Sequence, residues 1–291
     1  MYDDSVVSQC FAQQRPRLHA IALRLLGSGA DAADVLQETW CRLMRADTAA
    51  IANLPAWLTT VVSNICLDML RSGRVRLEKP QGDNLADTLN ATTESDPERD
   101  LMFADAVTGA LLVVLDRLSP PERVAFVLHD TFDVSFDQLA VLLDRSVDAT
   151  KKLASRARLK VRGAPAVTPS EICEQRNIVD AFRRAASTGD LGALVSVLDP
   201  DVVRVADSTA VPEGTPAELV GRDAVIDEIT RLSERTRLAD LALVDGNVGI
   251  VVAPEGRLLN ALLILIAGGR VVRYEVVAEP TRLAQLDIAL L

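Results

Sequence analysis

Residues 146–162 read SVDATKKLASRARLKVR, and from Lys151 onward the stretch carries six basic side chains and no acid, in a chain whose formal charge is -10. Lysine and arginine neutralise phosphates, and arginine also reaches guanine edges in a major groove. The chemistry on offer is anion recognition rather than bond-making. A net-acidic chain does not oppose it, because a phosphate feels the charges within a Debye length, about 8–10 Å.

Bond-making is poorly provided for. General acid–base catalysis draws most often on histidine, and the last of the two histidines is His129. Asp207, Arg222, Asn260, Tyr274 and Glu275 are polar groups that a C-terminal cavity would use, but no spacing among them marks a catalytic set. Cys10, Cys41, Cys66 and Cys173 form no CxxC pair, which argues against zinc and a disulfide framework and fits a reducing cytoplasm. No cofactor and no metal is expected.

The basic stretch needs a helix to organise it. Placed on a helix from Val147, residues Val147, Thr150, Ala154, Ala157 and Val161 share one side, with Leu153 beside Ala157. Lys151, Lys152, Ser155, Arg158 and Arg162 point the other way, and Arg156 lies at the flank. Asp148 falls in the first turn, where it favours the helix dipole. Upstream, Ser135 with Gln138 in SFDQLAVLL forms a capping box, and Ser146 caps the basic helix. Helix, three-residue turn and helix make a helix-turn-helix, preceded by another helix opening at Ser119, Pro120 and Glu122.

The N-terminal block, Val6 to Arg76, is helical in pattern throughout. DAADVLQETWCRLMR puts Val35, Leu36, Trp40, Leu43 and Met44 on one face and Asp34, Gln37, Glu38, Arg42 and Arg45 on the other. LPAWLTTVVSNICLDMLRSGRVR offers Trp57, Leu58, Val61, Val62, Ile65 and Leu70 as its buried set. Residues 77–100 are polar, acidic and without periodicity, the character of an extended linker, and residues 81–108 hold one base and seven acids. After Ser170 two helices, about 171–187 and 190–198, lead into a strand at DVVRVADS; a helix near 221–235 precedes four β-rich stretches separated by Gly and Asn. This is an α+β texture. At 291 residues, with 49% hydrophobic and 3% aromatic residues, the cores must be built from Leu, Val, Ala and Ile. The N-terminus lacks a signal-peptide pattern, and the longest apolar run, from Leu258, is too short to span a bilayer as a helix. A cytoplasmic protein without membrane insertion is expected.

Taken in order, these blocks resemble the bacterial extracytoplasmic-function (ECF) sigma factors of RNA polymerase. DAADVLQETWCRLMR and PAWLTTVVSNICLDMLRSGRVR are similar to region 2 of that family, and residues 115–163 are similar to region 4. NIVDAFRRAASTGDLGALVSVLDPDVVRVADS opens a part that resembles the SnoaL-like, NTF2-type fold. The resemblance implies a multidomain chain with two all-α domains, region 2 over 1–78 and helix-turn-helix region 4 over 109–165. An acidic linker, 79–108, would join them, and an α+β cone would fill 170–291.

The family further implies an alternative sigma factor, not an enzyme, that directs promoter-specific initiation, with the C-terminal domain modulating activity. Its partners would be promoter DNA and core RNA polymerase, through the largest subunit's clamp coiled coil and the second-largest subunit's flap. An anti-sigma factor is a further candidate partner. Asp34, Gln37 and Glu38 would meet the clamp. Trp57, Asn64, Asp68, Arg71, Arg74 and Arg76 would serve the -10 element, with Asn64 favoured over Asp68 as reader of an extruded base. Thr150, Lys151, Lys152, Ser155, Arg156, Arg158 and Arg162 would serve the -35 element. Two alternatives stay open: a one-component helix-turn-helix regulator with a ligand-binding tail, which would have no use for the 31–76 block, and a catalytic SnoaL-type domain with an accessory DNA-binding module.

Overall fold

Prolines and capping side chains set where the helices begin. In the computed structural model, which describes residues 4–73, 108–212, 214–231 and 238–291, the Ser119, Ser135 and Thr168 capping boxes all open helices. The described residues group into two compact units, one of 4–73 and 115–160, the other of 108–114 and 161–291. Arg74, Arg76 and the expected linker, apart from residue 108, lie outside the described residues.

The first unit is helical. Helices α1 (Asp4–Leu26), α2 (Gly29–Arg45) and α3 (Leu54–Gly73) share a core of Leu18, Ile21, Leu25, Leu36, Leu43, Leu58 and Val62. Two expectations change here. Met44 is 54% exposed, because at about 100° per residue it sits roughly 80° off the Leu36–Leu43 line. Trp57, Val61 and Leu70 are half-buried rather than core. After α4 (Gly109–Asp116), α5 (Pro120–Phe126) runs into a π-helical turn, Val127–Thr131, followed by α6 (Phe136–Leu143) and α7 (Val147–Arg162).

This unit joins its two sequence blocks by specific contacts. Arg17 donates through Nη2 to the Phe132 carbonyl at 2.8 Å, and the Arg17 and Arg24 guanidinium carbons stand 5.7 and 5.3 Å from the Phe132 ring centroid. Arg123, only 5% exposed, pairs with Asp116 at 2.7 Å and donates to the Leu25 carbonyl.

The second unit places α8 (Pro169–Thr188), α9 (Leu191–Val197) and α10 (Arg222–Arg231) on a sheet of strands β1 (Leu198–Ala206), β2 (Glu218–Val220), β3 (Ala239–Val244), β4 (Asn247–Val252), β5 (Asn260–Ala267), β6 (Arg270–Val277) and β7 (Ile288–Ala289). A short α11 (Pro280–Leu283) precedes β7. The sheet order is β2-β1-β6-β5-β4-β3-β7. Strands β3 to β6, the four expected β-rich stretches, form a meander. The β3–β4 hairpin turns on Asp245 and Gly246 and the β5–β6 hairpin on Gly268 and Gly269, all at positive φ, which matches strand twist in a two-residue loop. Strand β1 lies parallel to β6, a pairing the intervening elements permit because parallel strands need a long crossover. Two helical regions followed by an α+β domain is the expected fold class.

Within the second unit, residues 109–110 and 161–166 are held by specific contacts. At Gly109 a Cβ would run into the Ala253 carbonyl oxygen, and the Ala110 amide donates to Asp240 Oδ2 at 3.3 Å. The Leu290 amide donates to the Val161 carbonyl at 2.9 Å, and the Ala166 amide to the Gly246 carbonyl at 2.8 Å.

Candidate nucleic-acid interface

Helix α6 ends on Asp144 in the left-handed region, φ 52° and ψ 54°, and the chain re-enters helix at Val147. Ser146 caps α7 by accepting from the Ala149 amide at 3.2 Å. The turn is therefore the expected three residues. On α7, Ala154, Ala157 and Val161 are buried, while Lys151, Lys152, Ser155, Arg156 and Arg162 are exposed. Among the described residues, Lys151, Lys152 and Arg156 have no ion-pair partner and form an open cationic ridge.

Thr150 does not belong to that ridge. It is fully buried, and its hydroxyl donates to the Ser146 carbonyl at 3.0 Å, so it packs α7 rather than facing DNA. Position 150 is on the same helical side as Ala154 and Ala157, and burial follows the side, not the polarity of the side chain. Arg158 is half-buried and its Nε lies 2.6 Å from Asp130 Oδ1. Lys160 reaches Glu122 at 2.8 Å, and Glu122 also accepts from the Ser119 amide and hydroxyl. Burial alone would raise the Glu122 carboxyl; the bonds from Lys160 and Ser119 outweigh it and hold it below the ordinary glutamate range. These two cations are struts that fix α7 on α5 and the π-helical turn. Sequence reasoning missed this because their partners lie 28 and 38 residues away.

On α3, Trp57, Asn64, Asp68 and Arg71 fall at intervals of seven, four and three, one stripe of the helix. The stripe grades from half-buried Trp57 and Asn64 to exposed Asp68 and Arg71, which stand 4.0 Å apart as an exposed pair. Asp34, Gln37 and Glu38 are exposed on α2. Glu38 pairs with Arg42 at 2.8 Å, one turn on.

The C-terminal candidates divide. Asp207 is structural: burial would raise its carboxyl, but bonds from the Glu279, Ala278 and Ala210 amides and Thr209 hold it low. Glu275 pairs with Arg282 at 2.7 Å, and Arg222 donates to the Val195 carbonyl at 3.2 Å. Asn260 and Tyr274 line one cavity, together with a buried pair, Arg204 and Glu228, that sequence reasoning overlooked, while Glu275 lines a separate one. The available signal was Arg204 sitting in the inward phase of β1 between buried Val202 and Ala206. An arginine there demands an acid.

The Sigma-70 region 2 family matches residues 10–76, and the Sigma-70, region 4 family matches residues 108–161. The ECF RNA polymerase sigma factor SigJ of Mycobacterium tuberculosis is 39% identical over 250 residues, covering 84% of this chain and 80% of that protein. The "Probable ECF RNA polymerase sigma factor SigI" of the same species is 32% identical over 282 residues, 96% of each chain. A crystal structure of M. tuberculosis SigJ covers 96% of this chain and 98% of its own, at 32% identity and a TM-score of 0.46. Among the described residues, no helix is long and apolar enough to cross a membrane.

Proposed function

The chain belongs to the ECF RNA polymerase sigma factors, and we propose from that premise how its surfaces divide the work of promoter recognition. Helix α7 enters the -35 major groove, with Lys151, Lys152 and Arg156 as phosphate and base contacts and Arg162 at the far end. The α3 stripe takes the -10 element: Asn64 hydrogen-bonds an unstacked base, Trp57 offers a stacking face, and Arg71 holds phosphate. Asp68, half-neutralised by Arg71, is the lesser reader. The exposed Asp34, Gln37 and Glu38 face of α2 meets the polymerase clamp coiled coil, and region 4 meets the flap. The chain performs no chemistry itself; core polymerase makes RNA, in the cytoplasm. The working modules are residues 1–78, 109–165 and 170–291, with 79–108 as tether.

The observation that carries this reading is the cationic ridge, unpaired among the described residues, on a capped helix behind a three-residue turn. A second relationship gives it mechanism. The -35 and -10 elements are about 25 base pairs apart, roughly 85 Å of B-form duplex. Regions 2 and 4 packed together through Arg17–Phe132 and Arg123–Leu25 are too close to grip both, so binding polymerase separates them. The tail modulates this step by holding residues 109–114 and 161–166, the two ends of the -35 module.

The test is run-off transcription from a cognate promoter with purified chain and core polymerase. Promoter-specific transcripts that vanish with Lys151→Ala, Lys152→Ala and Arg156→Ala combined are expected. Failure to bind core polymerase at all, or unchanged transcription by the triple variant, would overturn the reading.

A further inference from the structure

Leu159 is 75% exposed on α7. The helix has a packed side, made of the buried Thr150, Ala154, Ala157 and Val161. At about 100° per residue, Leu159 points within roughly 10° of the direction opposite that side. Its neighbours in sequence leave it bare: Arg158 turns to Asp130 and Lys160 to Glu122. Its neighbours on the surface are Lys152, Ser155 and Arg156, seven, four and three residues earlier and all exposed.

A lone surface leucine is ordinary. This one stands in the middle of a cationic face, flanked by Lys152 and Arg156, which have no ion-pair partner among the described residues. Lysine and arginine serve phosphates and guanine edges, and serine bonds in either sense, but leucine does none of these. The apolar feature that a major groove presents is the C5-methyl group of thymine, which apolar side chains contact. On a helix lying in the groove with its packed side outward, the point opposite that side faces the base edges. Leu159 lies about 6 Å along the helix axis beyond Ser155, the height of about two base-pair steps.

We propose that Leu159 is a specificity-determining residue: its side chain packs on a thymine methyl group in the -35 element and so favours an A·T pair at one position. Lys151, Lys152 and Arg156 supply affinity, and Leu159 supplies a preference that they cannot. This role rests on α7 being the -35 helix, and the two fail separately.

Deoxyuridine pairs as thymine does and lacks only the C5-methyl group, so it is the probe. The full chain assembled with core polymerase is titrated with promoters in which each -35 thymine of either strand is replaced in turn. Binding should weaken about fourfold at one position, the contribution of one buried methyl group. Leu159→Ala should weaken binding to the unmodified promoter and erase the difference between thymine and deoxyuridine there. Its core-polymerase affinity and urea midpoint should stay as they were, since the side chain is exposed. Lys152→Ala should weaken binding to both promoters equally. A flat deoxyuridine scan, or a Leu159→Ala variant that still distinguishes the two promoters, would overturn the proposal, even where the Lys151, Lys152 and Arg156 triple variant fails to bind and α7 keeps its place at -35. Loss of core-polymerase affinity in Leu159→Ala would also overturn it, by assigning the side chain to that partner. Promoter binding indifferent to the triple variant would overturn both readings.

Discussion

The Arg123 guanidinium on α5 donates through Nη1 to the carbonyl oxygen of Leu25, at the end of α1 and 98 residues earlier, over 3.0 Å. That carbonyl is one of the last four of its helix, which lack intrahelical donors and carry the negative end of the dipole. One side chain from region 4 therefore caps a helix of region 2.

Replacing Arg123 with Ala leaves a buried carbonyl without its donor, at a cost of about 1–3 kcal/mol. Urea denaturation should show a lower midpoint. Arg17→Ala is milder, since its bond to Phe132 is exposed. Losing about 1 kcal/mol there favours the separated state roughly fivefold, so transcription at limiting chain should rise. A fall would count against the proposed opening step.

Binding to a -35 duplex should weaken with salt according to the number of phosphates neutralised, with a slope of about -0.9 for each contact. Each phosphate-contacting cation removed from Lys151, Lys152 and Arg156 should flatten the slope by about that amount. Thr150→Val should leave affinity within about twofold, because the residue is buried. A slope unchanged by the triple substitution would remove α7 from the DNA interface.

Asn64→Ala should lower open-complex formation by about 1–3 kcal/mol, the worth of a good base contact, while -35 duplex binding stays as it was. Asp68→Asn should do less. Permanganate footprinting of the -10 region reads the difference, and equal effects would reject the assignment of Asn64 as reader.

The carboxyl of Glu122 sits below its ordinary value in the folded chain, so its contribution to stability is complete above the unfolded glutamate range and is lost as pH falls through the lowered value. Between pH 7 and pH 3.5, the unaltered chain should lose more stability below about 4.5 than Glu122→Gln does. Parallel pH curves for the two would deny the Lys160 link any role.

Gly109→Ala sets a methyl group against the Ala253 carbonyl and should undock the start of α4 from the second unit. Faster hydrogen exchange at the Ala110 amide, which donates to Asp240, is the expected reading, together with altered transcription. Exchange at the rate of the unaltered chain would mean that the contact carries no weight.

The local pieces of this protein were legible in the chain. The capping boxes at Ser119 and Ser135 open helices because a serine hydroxyl and, three residues on, the Glu122 carboxylate or the Gln138 carboxamide sit at the spacing that meets the first backbone amides. The cationic ridge was legible for the same reason: helical periodicity separates Lys151 and Lys152 from Ala154 and Ala157. The -10 stripe was legible in part, since Arg74 and Arg76 fall outside the described residues.

Periodicity fixes which side chains share a face, so the sequence by itself determined the helices, the hairpins and the charge of α7. It says nothing of what meets that face. Only tertiary packing turned Arg158 and Lys160 into struts, set Arg123 on Leu25 and drew Arg204, Glu228 and Asn260 around one cavity. Those outcomes depend on distances between residues far apart in the chain, and a buried ion pair or an unpaired amide exists only once both neighbours and the exclusion of water are in place.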